Sequence, residues 1–188
     1  MLKKLLIIML MAICATSLWA ADWSSNYKQG NVVMSVGAGF ESSNIYEIAV
    51  YPAAEMILLK PEIGELSFID LGAKLMVRGG IGFPALDLGA GLAGTLHFGL
   101  KDLADGEIGE YLDPIDFFAE VGVGFDFLSN AGIGLIVNSG VNYWLEKDFA
   151  LGLKYTGWNS FDGVSISANW KFKNQKRAEK AVEKQLDS

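Results

Sequence analysis

Residues 86–101 read LDLGAGLAGTLHFGLK, and their alternation decides the fold. Leu86, Leu88, Ala90, Leu92, Gly94, Leu96, Phe98 and Leu100 share one face, while Asp87, Gly89, Gly91, Ala93, Thr95, His97, Gly99 and Lys101 share the other. A period of two carried this far belongs to a strand, because successive side chains of an extended chain point to opposite sides. The run Gly89-Ala-Gly91-Leu-Ala-Gly94 spells a dinucleotide-binding fingerprint, but that motif needs a helix beginning inside it. Here the alternation runs straight through.

Seven further stretches repeat the pattern, at about 32–40, 46–58, 69–78, 115–127, 133–145, 149–156 and 163–172. Each sets a row free of Lys, Arg, Asp and Glu against a row of Gly, Ser, Asn and charged residues. Gly, Asn, Asp, Ser and Pro clusters separate them, at Glu41 to Asn44, Gly79 to Pro84, Ser129 to Gly132 and Asn159 to Gly163, which suits hairpin turns. Pro52 has no N–H for a ladder, so a bulge is expected there. The acidic connector from Asp102 to Pro114 reads as a solvated turn without the spacing of a calcium loop, and no helical period interrupts the strands. The prediction is an all-β, eight-stranded antiparallel up-and-down barrel.

Lys3 and Lys4, the apolar run from Leu5 to Ile13 and the small-residue exit ending at Ala20 read as a secretory signal peptide over residues 1–20. The sole cysteine, Cys14, lies inside it behind Ile13, a poor neighbour for lipidation, so the remaining chain has no thiol. The formal net charge of −7 becomes more negative once the two leader lysines are gone, which argues against nucleic acid as a partner. Apolar residues make up 51% of the chain, yet no later run is long and uniform enough for a membrane helix. An alternating membrane barrel has that composition.

Size decides which face points inward. The interior of an eight-stranded barrel is only just wide enough to be filled by side chains, so eight rows of Leu, Ile, Val and Phe would overfill it. The Gly-rich, charged row is therefore placed inside and the apolar row toward lipid. Phe40, Tyr46, Phe125, Phe127 and Tyr155 then fall at one rim, and Phe98, Phe117, Tyr143, Phe149, Trp170 and Phe172 at the other, as two aromatic girdles. The rival arrangement is a soluble, lipocalin-like carrier with its apolar face inward.

On this pattern, residues 32–172 resemble the small eight-stranded outer-membrane barrels of Gram-negative-type bacteria, the group of the OmpA transmembrane domain, OmpX and OmpW. The last strand, Gly163-Val-Ser-Ile-Ser-Ala-Asn-Trp170-Lys-Phe172, is similar to the aromatic-ending signal read by barrel-assembly machinery, although Lys173 to Ser188 follow where family members commonly stop. The resemblance implies a monomer in the outer-membrane bilayer, with residues 21–172 as the barrel and 173–188 as a charged periplasmic tail. Glu179 and Glu183, with Lys180 and Lys184, stand four apart and suggest a short helix in that tail. Adhesins of this fold project long loops, and the outer loops here are short.

The inward row carries the candidate functional residues, a lumen charge network of Glu47, Glu55, Asp70, Lys74, Arg78, Glu120 and Lys154, with Asp87 and Asp126 beside it. Unpaired ions are costly in such a space, so Lys74 and Arg78 are expected near Glu47 and Glu55, and Lys154 near Glu120. His97 is the only histidine, and no pattern suggests a cofactor, a metal site or a catalytic step; Ser139 on the outward face has no partner. The expected role is structural or envelope-associated, with a polar plug in the lumen. The alternative is a small pore or passive channel for ions or small solutes.

Overall fold

The computed structural model describes residues 25–42, 46–61, 69–82, 86–101, 106–128, 131–159 and 161–172. Its strands are β1 Val32–Ser42, β2 Tyr46–Leu59, β3 Ile69–Gly82, β4 Leu86–Gly99, β5 Ile115–Asp126, β6 Gly132–Glu146, β7 Phe149–Trp158 and β8 Phe161–Phe172, with one helix, α1 Gly106–Leu112, before β5. Each strand pairs antiparallel with its sequence neighbour, and β1 closes the barrel on β8 from Val32↔Phe172 to Ser42↔Asp162. Lengths of 10 to 15 residues suffice to cross a bilayer as tilted strands. The expected leader and tail lie outside the described residues.

Burial alternates along every strand, and the apolar rows lie on the outside. Leu75, Leu92, Val121, Leu135 and Ile166 are all at least half exposed, whereas Asp70, Arg78 and Asp116 have no exposed surface. Water would not tolerate a belt of this extent on a soluble monomer, but lipid requires it. The same orientation removes the carrier reading, because the lumen is not lined by the apolar rows.

Two local expectations need correction. Register is continuous past Pro52, which pairs with Val36, and the shifts fall instead between Ile57 and Leu59 and between Trp144 and Glu146. Pro52 is tolerated because the β2–β3 pairing skips Tyr51 and Pro52 without changing register. The acidic connector is also more than a turn, since α1 occupies its second half. Glu107 sits in the first turn, where a helix favours negative charge, and the Asp113 N–H donates to the Gly109 carbonyl at 2.8 Å, just before Pro114. Seven residues including two glycines carry too little periodicity to be seen in advance.

Inside the end remote from the N-terminus, Met76, Ala93, Ile136 and Trp158 form a small apolar cluster. Trp158 is fully buried and donates its Nε1–H to Asp126 Oδ1 at 2.9 Å. The glycines of β4 and β5 make this room: a Cβ at Gly124 would stand 2.8 Å from the indole, and one at Gly91 2.9 Å. Asn159, next in the chain, turns β7 into β8 with φ 52°, a left-handed conformation that asparagine accepts more readily than most residues.

Two stability measurements test this packing and orientation. Leu92→Arg, at the middle of β4 and facing outward, should lower stability by roughly 2–4 kcal/mol, read as an earlier urea midpoint for unfolding from bilayers; an unchanged midpoint would mean that Leu92 faces water. Gly124→Ala should cost about 1–3 kcal/mol through overpacking, and less when Trp158 is already Ala. Equal penalties in both backgrounds would show that the indole does not need the glycine.

Candidate functional site

The inward side chains meet in three tiers along the barrel axis. At the end remote from the N-terminus, Glu41 of β1 and Glu47 of β2 are direct cross-strand partners, an arrangement in which like charges repel. Arg78 of β3 resolves it. Its Nε donates to Glu41 Oε2 at 2.7 Å, its terminal nitrogen reaches Glu47, and its guanidinium lies 4.0 Å from the centroid of the Phe161 ring. All three charged groups are buried. Glu41 shares the inward parity of Ser35, Gly37 and Gly39 and joins the expected charge network as a further member.

The middle tier centres on Lys74, whose ammonium donates to Glu120 Oε1 at 2.6 Å and stands 3.8 Å from Glu55 Oε2. Glu55 is its direct neighbour across β2–β3, whereas Glu120 comes from β5 and reaches Lys74 only through barrel curvature. Asn138 donates to the other Glu120 oxygen at 2.6 Å, and the Thr95 hydroxyl donates to Glu55. Lys154 lies within electrostatic reach of Glu120, as expected, and has its ammonium 4.6 Å from the centroid of the Tyr51 ring. Cation–π attraction there adds to the pull of the Glu120 carboxylate.

The lowest tier lies beside the N-terminal end. His97 is bracketed by Glu55 Oε1, 2.7 Å from Nε2, and Asp116 Oδ2, 2.9 Å from Nδ1, and its cross-strand partner on β3 is the buried Asp70. The Tyr27 hydroxyl donates to Asp116 Oδ2 at 3.1 Å, as does Asn142 Nδ2 at 3.0 Å. Tyr27 precedes β1 and was not anticipated. Its ring centroid lies 4.5 Å from that of His97 in a tilted contact and 5.4 Å from that of Trp144 edge-on, and only 2% of the residue is exposed. Burial, then the Asp116 and Glu55 carboxylates, push its phenol up from the ordinary value, so it keeps its proton and donates.

Residues 25–31 are thus folded into the mouth of the barrel. The Gly30 N–H donates to the Ile57 carbonyl at 2.8 Å, and the Ile57 N–H returns a bond to Asn31 at 3.0 Å. Lys60 Nζ reaches Ser25 Oγ, Lys171 Nζ reaches the Asn26 carbonyl at 2.9 Å, and Asn26 Nδ2 reaches the Asp113 carbonyl, also at 2.9 Å. Lys171 further lies 4.0 Å from the Trp144 ring centroid. Between this segment and the middle tier remains a cavity of about 20 Å³, bordered by Tyr27, Tyr51, Lys74, His97, Phe118 and Lys154. That is room for about one water molecule.

Chemically, a histidine oriented by an aspartate resembles half of a hydrolytic triad. Both ring nitrogens of His97 are engaged by carboxylates, and the nearby Thr95 hydroxyl is committed to Glu55, so this geometry presents no free nucleophile. Among the described residues, no group of three or more His, Asp, Glu or Cys side chains is arranged to hold a metal ion. The three residues of the proposed assembly signal lie on β8. Trp170 and Phe172 face outward, with Trp170 5.6 Å from Phe149, while Gly163 sits opposite Glu41 where a Cβ would strike the Phe40 carbonyl.

The sequence matches no protein-family model and no curated protein. Among solved structures, the chain is similar to a de novo designed transmembrane β-barrel, with a TM-score of 0.54 and 16% identity over 78% of this chain and 98% of that one. It is also similar to the N-terminal β-barrel domain of Pseudomonas aeruginosa OprF, with a TM-score of 0.50 and 12% identity over 77% of this chain and 98% of that one. At such identities the likeness is one of fold, and it agrees with the closed strand order β1 to β8 and the outward apolar belt: the architecture is that of a small eight-stranded transmembrane barrel.

Proposed function

We propose that this chain is an integral outer-membrane protein with a structural, envelope-associated role, whose lumen is closed by its own polar network and which carries out no catalytic step. The observation that carries this reading is the pairing of an outward apolar belt with three tiers of ion pairs and hydrogen bonds that span the interior. Arg78, Lys74 and His97 each bind two carboxylates, and the cavity left beside the lower tier holds about one water molecule. A conducting pore needs a continuous wet path, so the channel alternative would require these tiers to part.

Secretion would use the leader at 1–20, and assembly would read Gly163, Trp170 and Phe172 at the end of β8. With the N-terminus in the periplasm, the connectors on the external side join residues 42 to 46, 82 to 86, 126 to 132 and 158 to 161. Such short links offer little surface for gripping a host molecule. The role therefore sits in the barrel itself, as a monomer in the bilayer.

Gel mobility of boiled against unboiled protein should show a heat-dependent shift after refolding in detergent micelles and none after dilution into buffer. A folded, soluble species in buffer would overturn the membrane reading. In planar bilayers the wild-type barrel should give no resolvable channel events, and steady openings would favour the pore. Lys74→Ala, which leaves Glu55 and Glu120 without their shared cation, should destabilise the barrel by about 3–5 kcal/mol in urea unfolding. A loss below about 1 kcal/mol would indicate a water-filled, screened lumen.

A further inference from the structure

Two voids meet at the mouth beside the N-terminus, and one side chain parts them. On the lumen side is the cavity of about 20 Å³ below the middle tier; on the outer side is an open recess of about 730 Å³, bordered by Lys28, Lys101, Asp113 and Lys171 among others. Among the described residues, Tyr27 alone borders both. Its ring packs into an apolar socket made by Val33 of β1, Ile57 of β2, Trp144 of β6 and Ala150 of β7. Four strands supply the socket, and the plug comes from outside all of them.

The segment that carries Tyr27 is held in two different ways. Gly30 and Asn31 are tied to Ile57 by main-chain bonds, and residues 28–31 close on themselves, with the Lys28 N–H donating to Asn31 Oδ1 at 2.7 Å. Among the described residues, 25–28 share no main-chain to main-chain hydrogen bond with a strand. Side chains hold them instead: the Tyr27 hydroxyl on Asp116, the Asn26 amide on the Asp113 carbonyl, and the ammonium groups of Lys60 and Lys171 on Ser25 and the Asn26 carbonyl. Between the two parts sits Gly30, with φ 82°. A Cβ there would meet no atom within 4 Å, so glycine serves the backbone conformation and not a lack of space. Seating Tyr27 also leaves the Trp144 indole N–H and Asp116 Oδ1 buried without a hydrogen-bond partner. Both would gain water on release, which lowers the cost of opening. We propose that residues 25–29 are a strap hinged at Gly30, with Tyr27 as its latch, and that lifting it joins cavity and recess into one wet vestibule reaching His97 while the barrel and its upper tiers stay closed. The inference rests on the reading of a lumen closed by its own polar network and adds to it the element that opens one end. Hinges of this kind need only a few residues that absorb the backbone change.

The test uses the full chain on a Cys14→Ser background, refolded in detergent micelles, where both ends of the barrel meet the reagent, and checked for the heat-dependent mobility shift. One thiol is added at a time, by Ser35→Cys or by Thr156→Cys. Ser35 is buried and borders the cavity, whereas Thr156 is buried level with Glu41, since both pair with Gly163. The labelling rate of each is followed with a small cationic methanethiosulfonate. Gly30→Ala keeps Tyr27 but disfavours the left-handed hinge of the seated strap, and should speed labelling at 35 by roughly tenfold. Tyr27→Ala should speed it further, and the rate at 156 should stay unchanged in both. Rates at 35 that ignore both substitutions would overturn the strap and leave the closed barrel standing. Faster labelling at 156 as well as at 35 would mean that the barrel itself has loosened, which also overturns the strap. Rapid labelling at both positions with Gly30 and Tyr27 intact would overturn the closed lumen and the strap together. Either substitution decides the matter alone should the other variant not fold.

Discussion

The width of an eight-stranded barrel is the constraint on which the rest of this molecule depends. Closure of β1 on β8 leaves an interior that opposed side chains just fill, so each large inward residue needs small ones facing it. Trp158 shows the rule most directly, lying over Gly91 and Gly124 where any Cβ would collide with the indole. Arg78 likewise finds room above Phe161, and Tyr27 enters from the end beside His97. Glycine in the strands is thus a matter of volume, and the weak strand propensity it brings is offset by packing that no other residue would permit.

Electrostatics in the lumen follow from the same confinement. Buried carboxylates, among them Glu41, Glu47, Glu55, Asp70, Asp116, Glu120 and Asp126, outnumber the buried cations, so ion pairing alone does not satisfy them. Neutral donors take up part of the difference. Asp126 accepts from the Trp158 indole and from Asn159, Glu120 from Asn138, and Asp116 from Tyr27 and Asn142. A hydrogen bond to an ionised group contributes more than one between neutral groups, which is why amides and hydroxyls can hold carboxylates where no further lysine fits. The tiers are cross-linked in this way across strands that are not neighbours, as Lys74 of β3 and Glu120 of β5 illustrate. Such links act on the barrel as braces.

Period-two alternation made the strands, their number and their faces legible from sequence, because burial on one side of a wall writes itself into every second residue. What met what inside was far less legible. Glu55 and Lys74 could be paired from adjacent strands, but the Lys74–Glu120 contact depends on tilt and closure, which no local pattern encodes. Trp158 and Phe161 were hidden for a different reason. They flank the β7–β8 turn, where Gly157, Asn159 and Gly163 read as loop although the alternation continues almost to the turn itself. Tyr27 was hidden because it belongs to no strand, and α1 because its seven residues include two glycines and carry little periodicity.

The segment from Ser25 to Asn31 links local contacts to the completion of the fold. Gly30 and Asn31 bond to Ile57 of β2, Tyr27 to Asp116 of β5 and against Trp144 of β6, and Asn26 to Lys171 of β8. Only the bonds to β2 join the strand that follows β1 in the chain; the positions on β5, β6 and β8 come together around one mouth only when the last strand has closed on the first. Seating this segment therefore depends on closure and in turn opposes its reversal, since opening the β1–β8 seam would also uncover Tyr27, separate Asn26 from Lys171 and return Asp116 to a site with one donor fewer. The chain thus ties its beginning to its final strand twice, once through the β1–β8 ladder and once through the mouth. The second tie uses side chains whose bonds are complete only in the closed barrel.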